Sequence, residues 1–203
     1  MKNIWFTSDT HYGHKNIAGP SVSSWSGGYR DFNSVHEMNI ALVQGINKYV
    51  KEDDELYHLG DWSFGGAQNI KVFRDSLVCR NIHLMKGNHD QHIEEKLIEF
   101  EGGDFNPLEL FSSVQEVREI QVGKMKIFLS HYSHRVWDGS HKGVVHLYGH
   151  SHGTIPDLGR SMDVGMDVAY RMFGEYRPFN IGDITRIMDK RETHKIDGHG
   201  KVR

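Results

Sequence analysis

The sequence predicts an α/β fold, because strand and helix patterns alternate along its first half and further strand patterns follow in its second half. The chain has 203 residues, of which 37% are hydrophobic, and this is enough to bury one core. We therefore expect a single domain over residues 1–190 and a polar, flexible tail over residues 191–203.

The first half contains three apolar runs that predict buried strands, at residues 4–6, 56–59 and 82–85. Between the first two runs, Ser34 and Glu37 fit a capping box, and apolar residues recur at helical spacing over 38–50. Weaker helical patterns cover 68–77 and 91–100. This order of strands and helices is typical of a layered α/β domain.

Residues 12–32 show no period and are rich in Gly, Ser and aromatic residues, so they predict a long loop. Long loops inside compact domains are usually functional or disordered. The interspersed Trp25, Tyr29 and Phe32 favour a functional surface over plain packing.

The second half predicts four more strands and one more helix. The strands cover residues 114–122, 125–129, 144–148 and 162–168. A hairpin turn at Gly123 joins the first two, and a last helix covers 180–188. We assign the tail histidines His194 and His199 to solvent.

Composition excludes some classes of protein. The formal net charge of -3 and the pI of about 6.6 give no global reason to bind nucleic acid or anionic membranes, although a local basic groove remains open. Cys79 is the only cysteine, so neither an intrachain disulfide nor a cysteine-type zinc site can form. The amino terminus resembles no leader, and no apolar run is long enough to span a bilayer. We expect a cytoplasmic protein without membrane contacts, and leave its oligomeric state open.

Side chains that can bind metals follow five of the predicted strands. They are Asp9 and His11, Asp61, Asn88 and His89, His131, and His150 and His152. Ligands of open α/β sheets bind at the carboxyl ends of strands. Because residues two apart in an extended chain face the same way, Asp9 and His11 can address one centre, and so can His150 and His152. Each motif alone fits a turn or a buried histidine, but the ordered set indicates a site.

The donor types in this set indicate the class of metal. Imidazole combined with carboxylate suits Mn, Fe, Co, Ni or Zn, whereas Ca and Mg prefer oxygen ligands. Without His89, which could instead face the substrate, seven candidate ligands remain. They are too many for one tetrahedral ion and suit two ions that share a carboxylate. Two such divalent ions commonly serve displacement at phosphorus.

The ordered motifs resemble the five-block signature of the calcineurin-like metallophosphoesterases, in their compact bacterial and phage form. The blocks are Asp9-x-His11, Gly60-Asp61, Gly87-Asn88-His89-Asp90, His131 and Gly149-His150-Ser151-His152. The resemblance covers residues 4 to 168. It implies a four-layer α/β/β/α sandwich with two divalent ions at the sheet edges, Mn first and Fe, Zn, Ni or Co as the other candidates.

The resemblance also implies a role for each residue. One ion would be held by Asp9, His11 and His152 and the other by Asn88, His131 and His150, with Asp61 bridging them. His89 would contact the substrate and assist the leaving group, and Asp90 would orient His89.

Four further residues are candidate substrate contacts, namely Tyr12, Arg30, Arg135 and Arg177. A guanidinium group matches phosphate geometry, but an arginine that only caps a surface loop fits the sequence equally well. Trp137 is a candidate to stack on a base beside Arg135.

The hypothesis is a phosphodiesterase that attacks a nucleotide or nucleic-acid end with a hydroxide held by both ions. A diester is favoured because little chain remains for a capping domain, so the site should be open. A phosphomonoesterase would use the same site. A non-catalytic scaffold would have lost ligands or His89, and none is lost here. A nucleic-acid-binding module with structural metals would need a basic stripe, which the pI does not support.

Overall fold

The structure, a computed structural model, describes residues 2–101 and 103–194, which form sheets of five and four strands. The strands are β1 Ile4–Thr7, β2 Glu55–His58, β3 Asn81–Met85, β4 Ser113–Gln115, β5 Val117–Val122, β6 Met125–Ser130, β7 Val145–Tyr148, β8 Ser161–Asp163 and β9 Phe179–Asn180. The α-helices are α1 Lys15–Ala18, α2 Val35–Tyr49, α3 Ala67–Ser76, α4 Met166–Phe173 and α5 Ile181–Met188. Two 3-10 helices cover Pro107–Leu110 and Ser140–Lys142.

The first sheet has the order β4-β3-β2-β1-β9, and its first four strands are parallel. Parallel neighbours need long crossovers, which α2 supplies between β1 and β2 and α3 supplies between β2 and β3. The second sheet has the order β5-β6-β7-β8, with an antiparallel hairpin β5–β6 followed by parallel pairs. The carboxyl ends of β1, β2, β3, β6 and β7 each lead into a loop of the candidate site.

Alternate residues of the central strands enter two separate cores. Trp5 and Leu56 pack with Leu42 of α2, whereas Phe6 and Tyr57 join the core that Leu129 of the second sheet helps to build. This alternation is what a strand buried on both faces requires. The predicted α/β sandwich, with two sheets packed between outer layers, is confirmed.

The predicted helix at 91–100 is wrong. Residues 91–101 form turns and a single bridge between Ile98 and Phe105. Only Ile93 of that stretch is buried, and Leu97 is 67% exposed. A short helix is only marginally stable unless one apolar face packs against the core, and no such packing supports a helix in this stretch.

Three other boundaries also differ from the prediction. The stretch 114–122 is divided at Glu116, where the chain leaves the first sheet and enters the second. The stretch 162–168 ends as a strand at Asp163, and α4 begins at Met166 with Gly165 as its N-cap. The loop 12–32 contains the short helix α1. His194 is exposed as expected, whereas His199 lies outside the described residues.

No helix in residues 2–101 and 103–194 is both long enough and apolar enough to cross a bilayer.

Candidate metal centre

The loops that follow β1, β2, β3, β6 and β7 bring the seven predicted metal ligands together. The carboxyl ends of parallel strands meet at one edge of a sheet, so loops distant in sequence become neighbours in space. The backbone ties adjacent loops directly: the amide of Asp9 donates to the carbonyl of Gly60 at 3.0 Å, and the amide of Gly149 donates to the carbonyl of His131 at 2.9 Å.

Five residues other than glycine have a positive φ in the described chain, and all five are predicted ligands. Their φ values are 54° at Asp9, 48° at His11, 55° at Asp61, 66° at His150 and 49° at His152. A left-handed backbone is uncommon for residues with a Cβ and costs free energy. The fold holds this strain where it aims polar side chains at a common point, as functional sites often do.

We name two clusters of ligand atoms. The first cluster is Asp9, His11 and His152, and the second cluster is Asp61, His131 and His150; in each, the ligand atoms lie within 4.8 Å of one another. In the first cluster, Asp9 Oδ1 lies 3.9 Å from His11 Nε2 and 3.9 Å from His152 Nε2. In the second cluster, Asp61 Oδ2 lies 3.5 Å from His131 Nε2.

Asp61 connects the two clusters. The same oxygen, Oδ2, lies 3.4 Å from His11 Nε2 of the first cluster and 3.5 Å from His131 Nε2 of the second. Asn88 extends the second cluster, since its Oδ1 lies 3.1 Å from His131 Nε2 and 3.0 Å from His150 Nδ1. One carboxylate between two sets of nitrogen and oxygen donors is an arrangement that can hold a pair of ions.

His150 and His152 do not lie in one cluster, although their spacing allowed both to address one centre. His152 belongs to the first cluster and His150 to the second. The alternation that places residues two apart on one side holds for an extended backbone, whereas φ is 66° at His150 and 49° at His152. Asp9 and His11 do share a cluster, although they too are left-handed rather than extended.

Acceptor groups lie behind the rings of two cluster histidines. His131 Nδ1 lies 2.7 Å from the carbonyl of Leu59, which can only accept, so Nδ1 carries the proton and Nε2 is free. His152 Nδ1 lies 2.7 Å from Asp167 Oδ2, which leaves its Nε2 toward Asp9. A backbone carbonyl or carboxylate behind the ring is the usual support of a metal-binding histidine.

The protonation states also fit a cation. Burial lowers the pKa of His11 well below its usual range, so the ring is neutral, and its Nε2 is buried without a hydrogen-bond partner. Burial raises the pKa of Asp9, and the charges of Asp163 and Asp61 raise it further against the opposing charge of His152. Buried carboxylates with an unpartnered imidazole nitrogen fit a divalent transition ion.

Comparison with known proteins decides the family. Residues 2–180 match Metallophos, the calcineurin-like phosphoesterases. The chain belongs to this family.

Individual relatives are similar over different shares of their length. The chain is 34% identical over 108 residues to MJ1445, an uncharacterized protein of Methanocaldococcus jannaschii, and that match covers 52% of this chain and 57% of MJ1445. It is 26% identical over 171 residues to the gene 66 protein of Mycobacterium phage D29, and that match covers 76% of this chain and 81% of the phage protein. The crystal structure of AQ665 from Aquifex aeolicus, a protein of unknown function, superposes with a TM-score of 0.59 at 19% identity, over 92% of this chain and 100% of AQ665. This likeness shows the shared fold.

A charged network missed by the sequence analysis supports the first cluster. The buried Arg30 donates from Nε to Asp167 Oδ1 at 2.8 Å and from Nη2 to the backbone carbonyl of Asp9 at 2.6 Å. Asp167 in turn accepts from His152. Burial alone would raise the pKa of Asp167, but Arg30 and His152 outweigh it and hold that pKa far below its usual range. Arg30 therefore positions the first cluster and is no substrate contact.

Asp90 supports the second cluster rather than the ring of His89. Its buried carboxylate accepts the backbone amides of Asp61 at 2.8 Å, Trp62 at 2.9 Å and Gly87 at 2.8 Å. No hydrogen bond or ion pair joins Asp90 to the His89 ring in the described residues. The prediction that Asp90 orients His89 is thus corrected: Asp90 fixes the loop that carries Asp61. Gly87 is required there, because a Cβ would overlap Asp61 Oδ1 and lie 2.5 Å from the Asp61 amide.

Two other predicted substrate contacts have structural roles instead. The half-buried Tyr12 stacks on Phe73 with ring centroids 4.7 Å apart and packs against the core. Arg177 donates to Asp183 Oδ2 at 3.0 Å and covers the ring of Phe173 at 3.7 Å. Their sequence signal came from residue type alone, which does not distinguish a ligand contact from packing.

The stretch after His131 gives a mixed result. Trp137 is buried and donates its Nε1 to the carbonyl of Val144 at 2.8 Å, so it cannot stack on a base. Arg135 is exposed, and its role as a substrate contact stays a prediction.

The clusters form the floor of an open cleft of about 580 Å³. Asp61, Asn88 and His89 line it together with three of the four cluster histidines, namely His11, His150 and His152. The backbone amide of His89 donates to Asp61 Oδ1 at 3.0 Å, and its ring lies 5.4 Å from the ring of His11. His89 is therefore anchored to the floor through its backbone while its ring faces the space above.

Proposed function

We propose that this protein is a phosphodiesterase that uses two divalent transition ions, with Mn the first choice, to hydrolyse a phosphodiester of the nucleotide or nucleic-acid-end type. The observation that supports this most directly is the position of Asp61, whose Oδ2 faces His11 of the first cluster and His131 of the second at the floor of an open cleft. A single-ion site would not place one oxygen between two such donor sets.

Each ion would have its own protein ligands. Asp9, His11 and His152 would hold one, Asn88, His131 and His150 would hold the other, and Asp61 would touch both. Two ions bound there would supply an activated water and neutralise charge on the phosphate oxygens. The chain contributes rigidity: buried carboxylates and backbone carbonyls fix the ring tautomers before any ligand arrives.

His89 would act on the substrate. Its backbone amide donates to Asp61 Oδ1, and the residue lines the cleft. A histidine in that place can donate a hydrogen bond to a phosphoryl oxygen or a proton to the leaving oxygen. Asp90 supports this role indirectly by holding the Asp61 loop.

An open cleft favours a diester over a monoester. A phosphodiester carries an organic group on each side of phosphorus, and a cleft of about 580 Å³ can admit both. A phosphomonoesterase would need the same floor, so the preference rests on the shape of the cleft above it.

The test compares hydrolysis of bis(p-nitrophenyl) phosphate with hydrolysis of p-nitrophenyl phosphate, using protein stripped of metal and reloaded with Mn. We expect turnover to require metal and to favour the diester. In His89→Ala, turnover should fall by about 100-fold or more, the typical contribution of a general acid, while metal content stays the same. His36→Ala, a change at an exposed histidine of α2, is the matched control and should behave as the wild type.

The outcomes separate the parts of the proposal. Preference for the monoester would replace the diesterase by a phosphatase at the same site. Loss of metal from His89→Ala would mean that His89 is a ligand. Absence of turnover for both esters with Mn, Fe, Zn, Ni and Co, from protein that binds two ions, would favour a non-catalytic scaffold.

A further inference from the structure

The cleft above the two clusters has apolar rings at its rim. Trp25 and Tyr132 line it, and they are 47% and 49% exposed. Ile155 lines the same cleft and is 44% exposed. Exposed apolar residues are ordinary when scattered, but a group of them around a polar floor marks a surface that a ligand covers.

Trp25 and Tyr132 lie beside different clusters. Trp25 lies edge-on to His14 with ring centroids 5.5 Å apart, and His14 Nδ1 lies 3.3 Å from His11 Nδ1 of the first cluster. Tyr132 lies 4.7 Å from the ring of His150 and 5.0 Å from the ring of His131, both of the second cluster. The floor therefore has one aromatic side chain beside each half.

The side of Trp25 is also the side of His89. His14 stacks on Phe64 with centroids 4.0 Å apart, and the ring of Phe64 lies 5.4 Å from that of His89. The group that leaves phosphorus must lie near the residue that assists it, so it would lie toward Trp25. The group that stays on phosphorus would then lie toward Tyr132.

Charge around the cleft limits the size of the ligand. Of the described residues that line it, none is a lysine or an arginine. Proteins that bind a polynucleotide contact successive phosphates with basic side chains. This cleft offers charge compensation for one phosphoryl group on its floor and apolar surface on both sides.

We propose that Trp25 and Tyr132 determine specificity for a small phosphodiester with a flat, apolar substituent on each side of one phosphoryl group. Tyr132 covers the substituent that stays on phosphorus, and Trp25 covers the substituent that leaves. This inference rests on the proposed phosphodiesterase activity for its chemistry, but its binding part stands on the cleft alone.

The test uses binding and turnover in parallel. Calorimetric titration of Mn-loaded protein with diphenyl phosphate and with dimethyl phosphate measures affinity without hydrolysis. Wild type should bind diphenyl phosphate about 5- to 100-fold more tightly, the range that aromatic stacking contributes. Tyr132→Ala and Trp25→Ala should each lower that ratio, and Tyr132→Phe should keep it. Tyr170→Ala, a change at a tyrosine of α4 that is 48% exposed and outside the cleft, should leave the ratio at its wild-type value.

Turnover of two esters tests which substituent of the diester Tyr132 covers and which Trp25 covers. Bis(p-nitrophenyl) phosphate and methyl p-nitrophenyl phosphate have the same leaving group and differ in the group that stays. Tyr132→Ala should therefore reduce the preference in kcat/KM for the first ester by about 5-fold or more, whereas Trp25→Ala should keep the preference and raise KM for both.

Equal affinity of the wild type for diphenyl and dimethyl phosphate would overturn the inference whether or not the protein hydrolyses esters. The inference would also be overturned if a single-stranded oligonucleotide bound more tightly than diphenyl phosphate and Arg135→Ala abolished that binding. Such a result would favour a polyanionic substrate. Binding selectivity that depends on Tyr132 but is not accompanied by turnover would contradict the proposed activity and leave the specificity residues in place.

Discussion

The two clusters of ligand atoms are supported in different ways. Behind the first cluster, Arg30 and Asp167 form a buried ion pair between residues 137 positions apart, and Asp167 holds His152. Behind the second cluster, the supporting hydrogen bonds involve the backbone: the carbonyl of Leu59 orients His131, and Asp90 accepts hydrogen bonds from three backbone amides.

This difference shows where each cluster is vulnerable. The second cluster is supported by residues within or next to its own motifs, so its geometry depends on short segments of chain. The first cluster depends on a charged pair contributed by the loop before α2 and by α4. A substitution far from the ligands in sequence should therefore disturb the first cluster and spare the second.

Asp61→Asn should have the largest effect because it acts on both clusters at once. The change removes the charge from the oxygen that faces His11 and His131. Since residues behind metal ligands typically contribute about 10- to 100-fold to affinity or activity, loss of a shared ligand should cost more than about 100-fold in turnover. Metal content and bis(p-nitrophenyl) phosphate hydrolysis measure the two consequences. Loss of only one ion would show that the clusters do not share Asp61.

Asp167→Asn should separate the clusters. The amide cannot accept from both Arg30 and His152 as the carboxylate does, so His152 loses its fixed orientation. We expect the affinity for one of two Mn ions to fall by about 10- to 100-fold, with the other unchanged. Calorimetric titration of the metal-free protein resolves the two sites.

Asp75→Asn is the control for this change, because Asp75 pairs with Lys71 on the surface of α3 and touches neither cluster. Equal weakening of both ions in Asp167→Asn would mean that the two clusters form one cooperative unit, and the comparison between them would then have to be abandoned.

The same difference explains what could be predicted from the sequence. The second cluster's support is local: Gly87, Asp90 and Asp61 stand in the motifs themselves, so the sequence pointed to these residues even where it misjudged the role of Asp90. The order of the motifs at strand ends was also sufficient to predict the family and the α/β fold.

The support of the first cluster could not be predicted in the same way. Nothing near Arg30 in the chain indicates that its partner is Asp167, because that contact exists only after both sheets have packed. The left-handed backbone at His150 and His152 was also invisible, since histidine adopts it only rarely and tertiary contacts impose it. Local pattern predicts strands and turns, whereas the fold decides which side chains meet.

The smallest expected effect concerns the buried space beneath both clusters, where His58 lies. Its Nε2 lies 2.9 Å from Thr10 Oγ1, between Asp9 and His11 in sequence, and burial together with the nearby His131 lowers the pKa of His58 to about 3. Thr10 Oγ1 donates to the carbonyl of Trp62 at 2.7 Å, so it accepts from His58 and fixes the neutral ring.

The pH dependence follows from the sign of this shift. Between the usual value of about 6.5 and the folded value, the unfolded chain binds the proton and the folded chain does not, so stability rises with pH there. For one residue the slope is at most about 1.4 kcal/mol per pH unit.

Urea unfolding of the metal-free protein from about pH 4 to about pH 6 should show the loss of stability on acidification, and His58→Gln should reduce the slope of stability against pH. His36→Gln should not. His146, whose pKa burial lowers to about 4, contributes in the same window, so part of the slope should persist in His58→Gln. If the slope of stability against pH were the same in His58→Gln as in the wild type, water would have to reach His58. The two clusters would then share no water-free region beneath them, and of the links described here only Asp61 would join them.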